Sequence, residues 1–267
     1  MQAHTYRVGA VPFHGVELDH AVDWLLRDSS RVSESATGTS VRLANAYCVA
    51  VANTDEAYGK LLRESGVNFP DGTPVWAVMN MKARLKRPDT AVDRVRGPSF
   101  FRECLDKGRS HDVSHYFLGG TSDTINIMVG EVERQYPGIH IAGYHAPPFG
   151  PVDAAFIAAE SQRILAAKPD IVWVGLGTPK QDFATTMLAR ETGVNCVGVG
   201  AAFDFVAGCQ PEAPKFFQKS GTEWIFRFAT EPKRLWRRYT FGNFRFVHAV
   251  FVDIFRDSNL LGRLREK

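Results

Sequence analysis

Three apolar segments between residues 113 and 200 end in glycine pairs that could approach a phosphate group. They are Leu118-Gly119-Gly120, Gly175-Leu176-Gly177 and Gly198-Val199-Gly200. Glycine lets a backbone N–H group come close to an anion, and the first two segments run directly into expected helix starts, where negative charge is favoured. Each pair alone is also compatible with an ordinary turn. Together they favour a nucleotide or a phosphosugar as the ligand.

Other familiar signatures for phosphate or metal binding are missing from the sequence. There is no Walker A loop, and the segment from Gly198 to Phe203 only approaches G-x-G-x-x-G, with Phe203 in place of the third glycine. No Asp-x-Asp pair is present to hold a divalent ion on a sugar diphosphate, and the spacing of His111 and His115 lacks a third ligand. We therefore expect a reaction without metal or other cofactor, in which cationic side chains neutralise a diphosphate.

Charge and aromatic residues are concentrated at the C-terminal end. Residues 215–267 contain 12 Lys or Arg against 5 Asp or Glu, a net +7, whereas residues 1–214 contain 20 against 24, a net −4. Twelve aromatic residues lie between Phe216 and Phe255. This combination suits an anionic membrane surface, although a solvated cationic face is the simpler explanation of the charge. No nucleic-acid partner is expected, and a homo-oligomer is compatible with the sequence.

The chain has the composition of a folded protein without a membrane-spanning segment. It has 267 residues, 45% of them hydrophobic, and no run of 18 apolar residues. Its N-terminus lacks the features of a secretory signal, and its four cysteines are dispersed in a way that favours reduced, buried thiols. We therefore expect a cytoplasmic protein that associates peripherally with the inner face of the membrane.

Alternating strand and helix patterns predict an α/β fold with a mostly parallel, Rossmann-like sheet covered by helices on both faces. Residues 41–52 have the apolar character of a buried strand, and a helix capped by Asn53 is expected to follow. From residue 113 the pattern is regular: strands over 113–118, 139–145, 170–177 and 194–203 alternate with helices over 121–136, 152–168 and 179–192. We expect an α/β domain over 1–214 and a helical, membrane-associating appendage over 215–267.

Several sequence blocks resemble the WecG/TagA/CpsF family, glycosyltransferase family 26. They are Phe69-Pro-Asp-Gly72, Arg94-Val-Arg-Gly97, Phe117-Leu-Gly-Gly120, the segment 174–182 containing Pro-Lys-Gln, the segment 198–205, and the segment 223–239 containing Glu-Pro-Lys-Arg-Leu-Trp-Arg-Arg-Tyr. The resemblance implies a fold of the GT-E type. It also implies transfer of N-acetylmannosamine, glucuronate or a related hexose from a UDP-sugar to a saccharide on undecaprenyl diphosphate, with inversion and without metal.

The resemblance also assigns roles to individual residues. Asp71 matches the proposed general base, and Asn45 and Gln181 match residues near the sugar. Arg94, from the Arg94-Val-Arg-Gly97 block, is also expected among the catalytic residues. From the residues alone, a turn residue is the favoured interpretation of Asp71, and the resemblance reverses this in favour of a base. Leu43 stands where the family often has Thr, and Ser99 where it often has Asp. Both departures bear on the identity of the sugar or acceptor.

The remaining candidates are expected to bind the nucleotide diphosphate: Gly119, Gly120, Gly177, Lys180, Gly200, Phe203, Asp204, Arg227, Arg234 and Arg237. Lys180 could instead be solvated at a helix start, and Asp204 could satisfy backbone donors. The three arginines would share one helix face unless Pro232 interrupts the helix. Two other functions stay open at this point: a nicotinamide-dependent oxidoreductase built on the Gly198 loop, and a non-catalytic membrane-binding module.

Overall fold

The computed structural model describes residues 4–29, 37–64, 66–86 and 92–256, without the side chains at 86, 219, 234, 237–239 and 241. Part of the polar loop expected over 27–40 therefore lies outside the described residues. Its first residues belong to the helix α1, Leu18–Ser29.

A six-stranded parallel sheet forms the centre of the molecule. In chain order its strands are β3 (Ser40–Ala44), β4 (Val67–Pro70), β5 (Ser114–Gly119), β6 (His140–His145), β7 (Ile171–Gly175) and β8 (Asn195–Gly198). Their spatial order is β4-β3-β8-β7-β5-β6. The expected α/β class and parallel sheet are confirmed. All carboxyl ends lie along one edge, where ligands bind in folds of this kind.

Helices cover both faces of this sheet, which explains why its strands are apolar on both sides. On one face Phe117 and Trp173 belong to a core shared with α1, α5 (Gly97–Gly108), α6 (Ser122–Gln135) and α9 (Ala202–Val206). On the other face Leu118 and Val174 pack with α7 (Ala154–Ala167) and α8 (Lys180–Thr192).

Two expected strands are shorter than their apolar runs. Only Ser40–Ala44 of the first run is extended, because Asn45 caps a helix, α2 (Ala46–Ala52). Asn53 ends α2, and the next helix, α3 (Glu56–Glu64), begins after Asp55, whose carboxylate accepts from the Tyr58 N–H group. The strand expected over 194–203 ends at Gly198, since Ala202 and Phe203 already belong to α9.

A third core lies beside the sheet and includes the end of the chain. An antiparallel hairpin, β1 (His4–Val8) and β2 (Val11–Gly15), packs there with α2, α3 and α4 (Thr73–Lys86). Phe246 and Ala249 of the long helix α12 (Pro232–Arg256) are buried in the same core. Neither the hairpin nor this contact was predicted.

The C-terminal segment consists of three helices, α10 (Lys215–Ser220), α11 (Glu223–Thr230) and α12. The expected domain boundary at 214/215 coincides with the start of α10; the division into two domains stays a prediction. Pro232 is the first residue of α12, a position where its missing N–H group costs nothing. Arg227 thus lies on α11, whereas Arg234 and Arg237 lie on α12, so the alternative that Pro232 interrupts the helix is confirmed and the three arginines do not share one helix face.

Candidate active site

Two adjoining cavities open at the carboxyl ends of the sheet strands. The larger, about 830 Å³, is lined by residues that follow β3, β4, β7 and β8. The smaller, about 420 Å³, lies between the start of α4 and the helices α11 and α12. Residues common to both linings are Asn45, Tyr47, Asp71, Glu223, Arg227 and Leu235. A group in this common wall can contact ligands in both cavities.

Asp71 occupies the common wall at the end of β4. Its N–H group donates to the Ala44 carbonyl at 2.9 Å, and its carboxylate accepts from the Gly97 N–H group at 3.4 Å. Burial, and then the nearby Glu223 carboxylate, raise the pKa of Asp71, although three arginines oppose this shift. A half-buried carboxylate with a raised pKa is suited to accept a proton from a substrate hydroxyl.

Asn45 lies beside Asp71 but also has a clear structural role. Its side-chain oxygen accepts from the N–H groups of Tyr47, at 3.0 Å, and Cys48, at 3.4 Å. It thereby caps α2 and fixes the first turn of this helix in the wall of both cavities.

Gln181 joins the two glycine loops of the larger cavity. Its side-chain oxygen accepts from the Gly200 N–H group at 3.0 Å and from the Gly177 N–H group at 3.2 Å. Its nitrogen lies 3.4 Å from the Thr178 hydroxyl, and the side chain is buried. The amides of Gly177 and Gly200 were expected to face a phosphate; in the structure they donate to Gln181, which positions both loops.

Among the predicted nucleotide-binding residues whose side chains the structure describes, four do not line the larger cavity: Gly119, Gly120, Lys180 and Phe203. A Cβ atom on Gly119 would lie 2.5 Å from the Gly175 carbonyl oxygen, so this glycine permits close packing of β5 and β7. Phe203 is buried beneath Gly175 in the aromatic core. The Lys180 ammonium lies 5.4 Å from the centre of the Phe149 ring, at the rim of the cavity.

Arginines hold the C-terminal helices against this site. Arg94 lines only the smaller cavity and donates to the Thr73 hydroxyl, at 3.1 Å, and to the Gln218 carbonyl, at 2.5 Å. Arg96 donates twice to Glu223 and pairs with Glu212 at 2.6 Å. Burial alone would lower the pKa of Arg96, but these carboxylates raise it. Arg94 was expected near the substrate; it lines the smaller cavity, and its described contacts also attach α10.

Two other arginines line the larger cavity. Arg227 lies with its guanidinium 5.1 Å from the centre of the Phe205 ring, and Arg245 lies on an exposed part of α12. Neither forms a salt bridge with the described residues. Asp204 also lines this cavity and accepts from the Gln210 side chain at 3.4 Å. The side chains of Arg234 and Arg237 lie outside the described part of the chain.

Sequence reasoning missed Arg245, Arg96, Glu223 and Phe149. Arg96 and Glu223 were present in the quoted blocks, and their opposite charges were the available signal. Arg245 and Phe149 had no local pattern that distinguished them. Among the described residues, no three His, Cys, Asp or Glu side chains form a group that could hold a metal. None of the described helices meets the length and hydropathy needed to cross a membrane.

Comparison with known proteins relates the whole arrangement to one family. A family model described as "Glycosyl transferase WecG/TagA/CpsF family" matches residues 6–260. Similar proteins include the N-acetylglucosaminyldiphosphoundecaprenol N-acetyl-beta-D-mannosaminyltransferases of Staphylococcus aureus strains NCTC 8325 / PS 47 and COL. Each is 29% identical over 210 residues, which cover 77% of this chain and 77% of the relative.

Proposed function

Since the chain belongs to the WecG/TagA/CpsF family of glycosyl transferases and is a hexosyltransferase, we propose that its donor is a UDP-sugar and its acceptor a sugar on undecaprenyl diphosphate. The names of the relatives favour N-acetylmannosamine as the transferred sugar and N-acetylglucosaminyl diphosphoundecaprenol as the acceptor. Glucuronate and related hexoses are the competing donors. Metal ions take no part in the proposed reaction.

The observation that carries the proposal is the position of Asp71 in the wall common to two cavities. A transferase must bring a donor and an acceptor together at one base. The arginines of the larger cavity, Arg227 and Arg245, suit a nucleotide diphosphate. The smaller cavity has an apolar wall that includes Trp224, Phe246 and Val247, which suits an acceptor that arrives on a lipid.

In the proposed reaction a hydroxyl oxygen of the acceptor sugar attacks the anomeric carbon of the donor. The new C–O bond forms as the bond from that carbon to the UDP oxygen breaks, and the bonding electrons leave with UDP. Asp71 accepts the hydroxyl proton. Attack from the face opposite UDP inverts the anomeric configuration, which agrees with the β linkage in the names of the relatives if the donor is α-linked.

Arg227 and Arg245 supply the positive charge for the leaving diphosphate. Both line the larger cavity, and a guanidinium binds phosphate oxygens through paired N–H groups. Arg234 and Arg237 are proposed to join them. This cationic set takes the role that a divalent ion has in other sugar transferases. Gln181 contributes by holding the loops after β7 and β8, and Asn45 by fixing the start of α2.

The enzyme is proposed to bind the membrane peripherally through α11 and α12. Phe244, Val247, Phe251 and Phe255 recur at helical spacing and are exposed, whereas Phe246 and Asp253 on the opposite side are buried. The same helix also contains basic residues, among them Lys233, Arg245 and Arg256, as expected for a helix lying in the headgroup region.

A transfer assay tests the proposal. The purified protein is given UDP-N-acetylmannosamine and a short-chain N-acetylglucosaminyl diphosphate lipid, and the product is identified by mass spectrometry. We expect transfer that persists in EDTA, with Arg227→Gln and Arg245→Gln reducing it at least about tenfold and the exposed control Arg256→Gln leaving it unchanged. Absence of transfer from every UDP-sugar used in cell-envelope synthesis would reject the donor assignment. Loss in EDTA with rescue by magnesium would reject metal independence.

A further inference from the structure

Phe149 is an exposed aromatic residue at the mouth of the larger cavity. Its ring lies in the loop that follows β6, is 108% exposed and lines the cavity. Covering an aromatic ring of this exposure with a ligand would be favourable, because it removes apolar surface from water. A large aromatic ring held in solvent at the edge of a concave site is suited to contact a ligand.

The loop that carries this ring is rich in proline and places the ring near Lys180. Pro147, Pro148 and Pro151 flank it, and each proline fixes its own backbone φ angle. The Lys180 ammonium lies 5.4 Å from the ring centre, within range of a cation–π interaction, while the ring stays exposed.

Phe149 lies at the opposite end of the cavity from the proposed base. Asp71 follows β4, and Lys180 begins the helix after β7, three strands away in the order β4-β3-β8-β7. At the usual strand spacing this separation is about 14 Å. A donor whose sugar lies at Asp71 therefore directs its far end, the nucleoside, toward Phe149.

We propose that Phe149, supported by Lys180, is the stacking platform for the uracil base of the donor. The inference rests on the proposed function, because it assumes a uridine nucleotide in the larger cavity. The base is the planar part of such a donor, and stacking on an aromatic ring is a common way to bind a base. In this arrangement Lys180 places the Phe149 ring beside the base and does not itself contact the phosphates.

Calorimetric titration of the full chain with UDP and with inorganic pyrophosphate tests the proposal. Phe149→Ala should raise the Kd for UDP at least about fivefold, the lower limit expected for one stacked base. It should leave the Kd for pyrophosphate unchanged, because pyrophosphate has no base. Phe149→Tyr should bind UDP like the wild type. The matched control is Phe244→Ala, which removes an exposed ring that lines neither cavity.

The outcomes separate this inference from the proposed function. If the wild type binds UDP and Phe149→Ala binds it within twofold, the stacking platform is wrong while the donor assignment stands. If Phe149→Ala loses affinity for anionic phosphatidylglycerol vesicles and keeps its UDP affinity, the ring is a membrane contact and the proposal is overturned. If the wild type binds pyrophosphate but no uridine nucleotide, the proposed donor fails and the platform fails with it.

Discussion

Arg96 holds the carboxylate of Glu223 through two hydrogen bonds, from Nε at 2.9 Å and from Nη2 at 3.0 Å. Arg96 precedes Gly97, whose N–H group donates to Asp71, and Glu223 is the first residue of α11. One ion pair therefore attaches α11 next to the proposed base. The same carboxylate also raises the pKa of Asp71, so attachment of the helix and the protonation of Asp71 are linked.

Replacing Asp71 with Asn should reduce turnover about 100-fold or more, because loss of a general base has effects of this size. UDP affinity should change only a few-fold, since Asp71 acts on the acceptor hydroxyl. Turnover at saturating donor and the Kd for UDP are the two measurements. Near-normal turnover of the variant would remove Asp71 from the mechanism.

Replacing Glu223 with Gln should move the acidic limb of the pH profile of kcat/KM to lower pH. Asp71 must be ionised to accept a proton, so activity falls as the pH drops through its raised pKa. Removing the Glu223 charge takes away one cause of that rise and leaves Arg96 to lower the pKa. Glu212→Gln is the control, since Glu212 also pairs with Arg96 but is not among the groups that shift Asp71. Equal shifts in both variants would contradict the assignment.

The sheet could be predicted from the sequence because its strands after residue 113 are mostly apolar and alternate with periodic helices. The boundaries after β3 and β8 could not, since apolar residues continue into α2 and α9. There Asn45 and the left-handed Gly200, with φ of 59°, decide where each strand ends. Local capping and turn geometry thus override hydropathy at both places.

The site could be predicted only where a residue belongs to a motif. Asp71, Asn45 and Gln181 were expected at the site and do line the larger cavity. The function of the Gln181 amide was not foreseen, because its partners Gly177 and Gly200 follow different strands. Arg245 was missed because it enters the cavity through the packing of α12 against the third core, a contact between distant parts of the chain.

Replacing Gln181 with Met should loosen both glycine loops. The N–H groups of Gly177 and Gly200 would lose their acceptor while the buried volume stays similar. We expect faster hydrogen exchange of peptides containing these two amides, together with weaker UDP binding. Gln135→Met, on the exposed end of α6, is the control. Unchanged exchange with reduced activity would instead indicate direct contact of Gln181 with the substrate.

Breaking the buried pair of Lys82 and Asp253 should destabilise the protein strongly. The two side chains are each 3% exposed, and Nζ of Lys82 lies 2.6 Å from Oδ2 of Asp253. The pair joins α4 to the end of α12. Asp253→Asn leaves the Lys82 charge buried and should lower the free energy of unfolding by about 3–5 kcal/mol. Arg7→Gln removes the exposed partner of the same carboxylate and should cost about 1 kcal/mol or less. Urea unfolding measures the free energy of unfolding of both variants. Similar losses of stability would show that the burial of the Lys82 charge does not decide the size of the effect.

This pair also bears on truncation of the C-terminal helices. Deleting residues from Phe216 onward removes Asp253 together with Phe246 and Ala249 of the third core. A truncated α/β body should therefore be less stable than the full chain, and loss of its activity would not by itself identify a membrane role. Substitutions on the exposed side of α12 are the better probe.

The double replacement Phe244→Ser with Phe251→Ser should weaken binding to anionic vesicles, because both rings are exposed on the apolar stripe of α12. Binding of the wild type should itself weaken as the salt concentration rises, since each Lys or Arg near an anionic surface contributes roughly 1 kcal/mol of attraction that ions screen.

Transfer to a short-chain, water-soluble acceptor should persist in the double variant, because neither ring lines either of the two cavities. The control is Ile127→Ser with Leu165→Ser, which removes two other exposed apolar side chains, from α6 and α7. Vesicle sedimentation and the soluble transfer assay measure the two activities. If both double variants lose vesicle binding equally, the stripe is not the docking surface; if the first loses soluble transfer as well, the rings serve the active site and membrane docking must lie elsewhere.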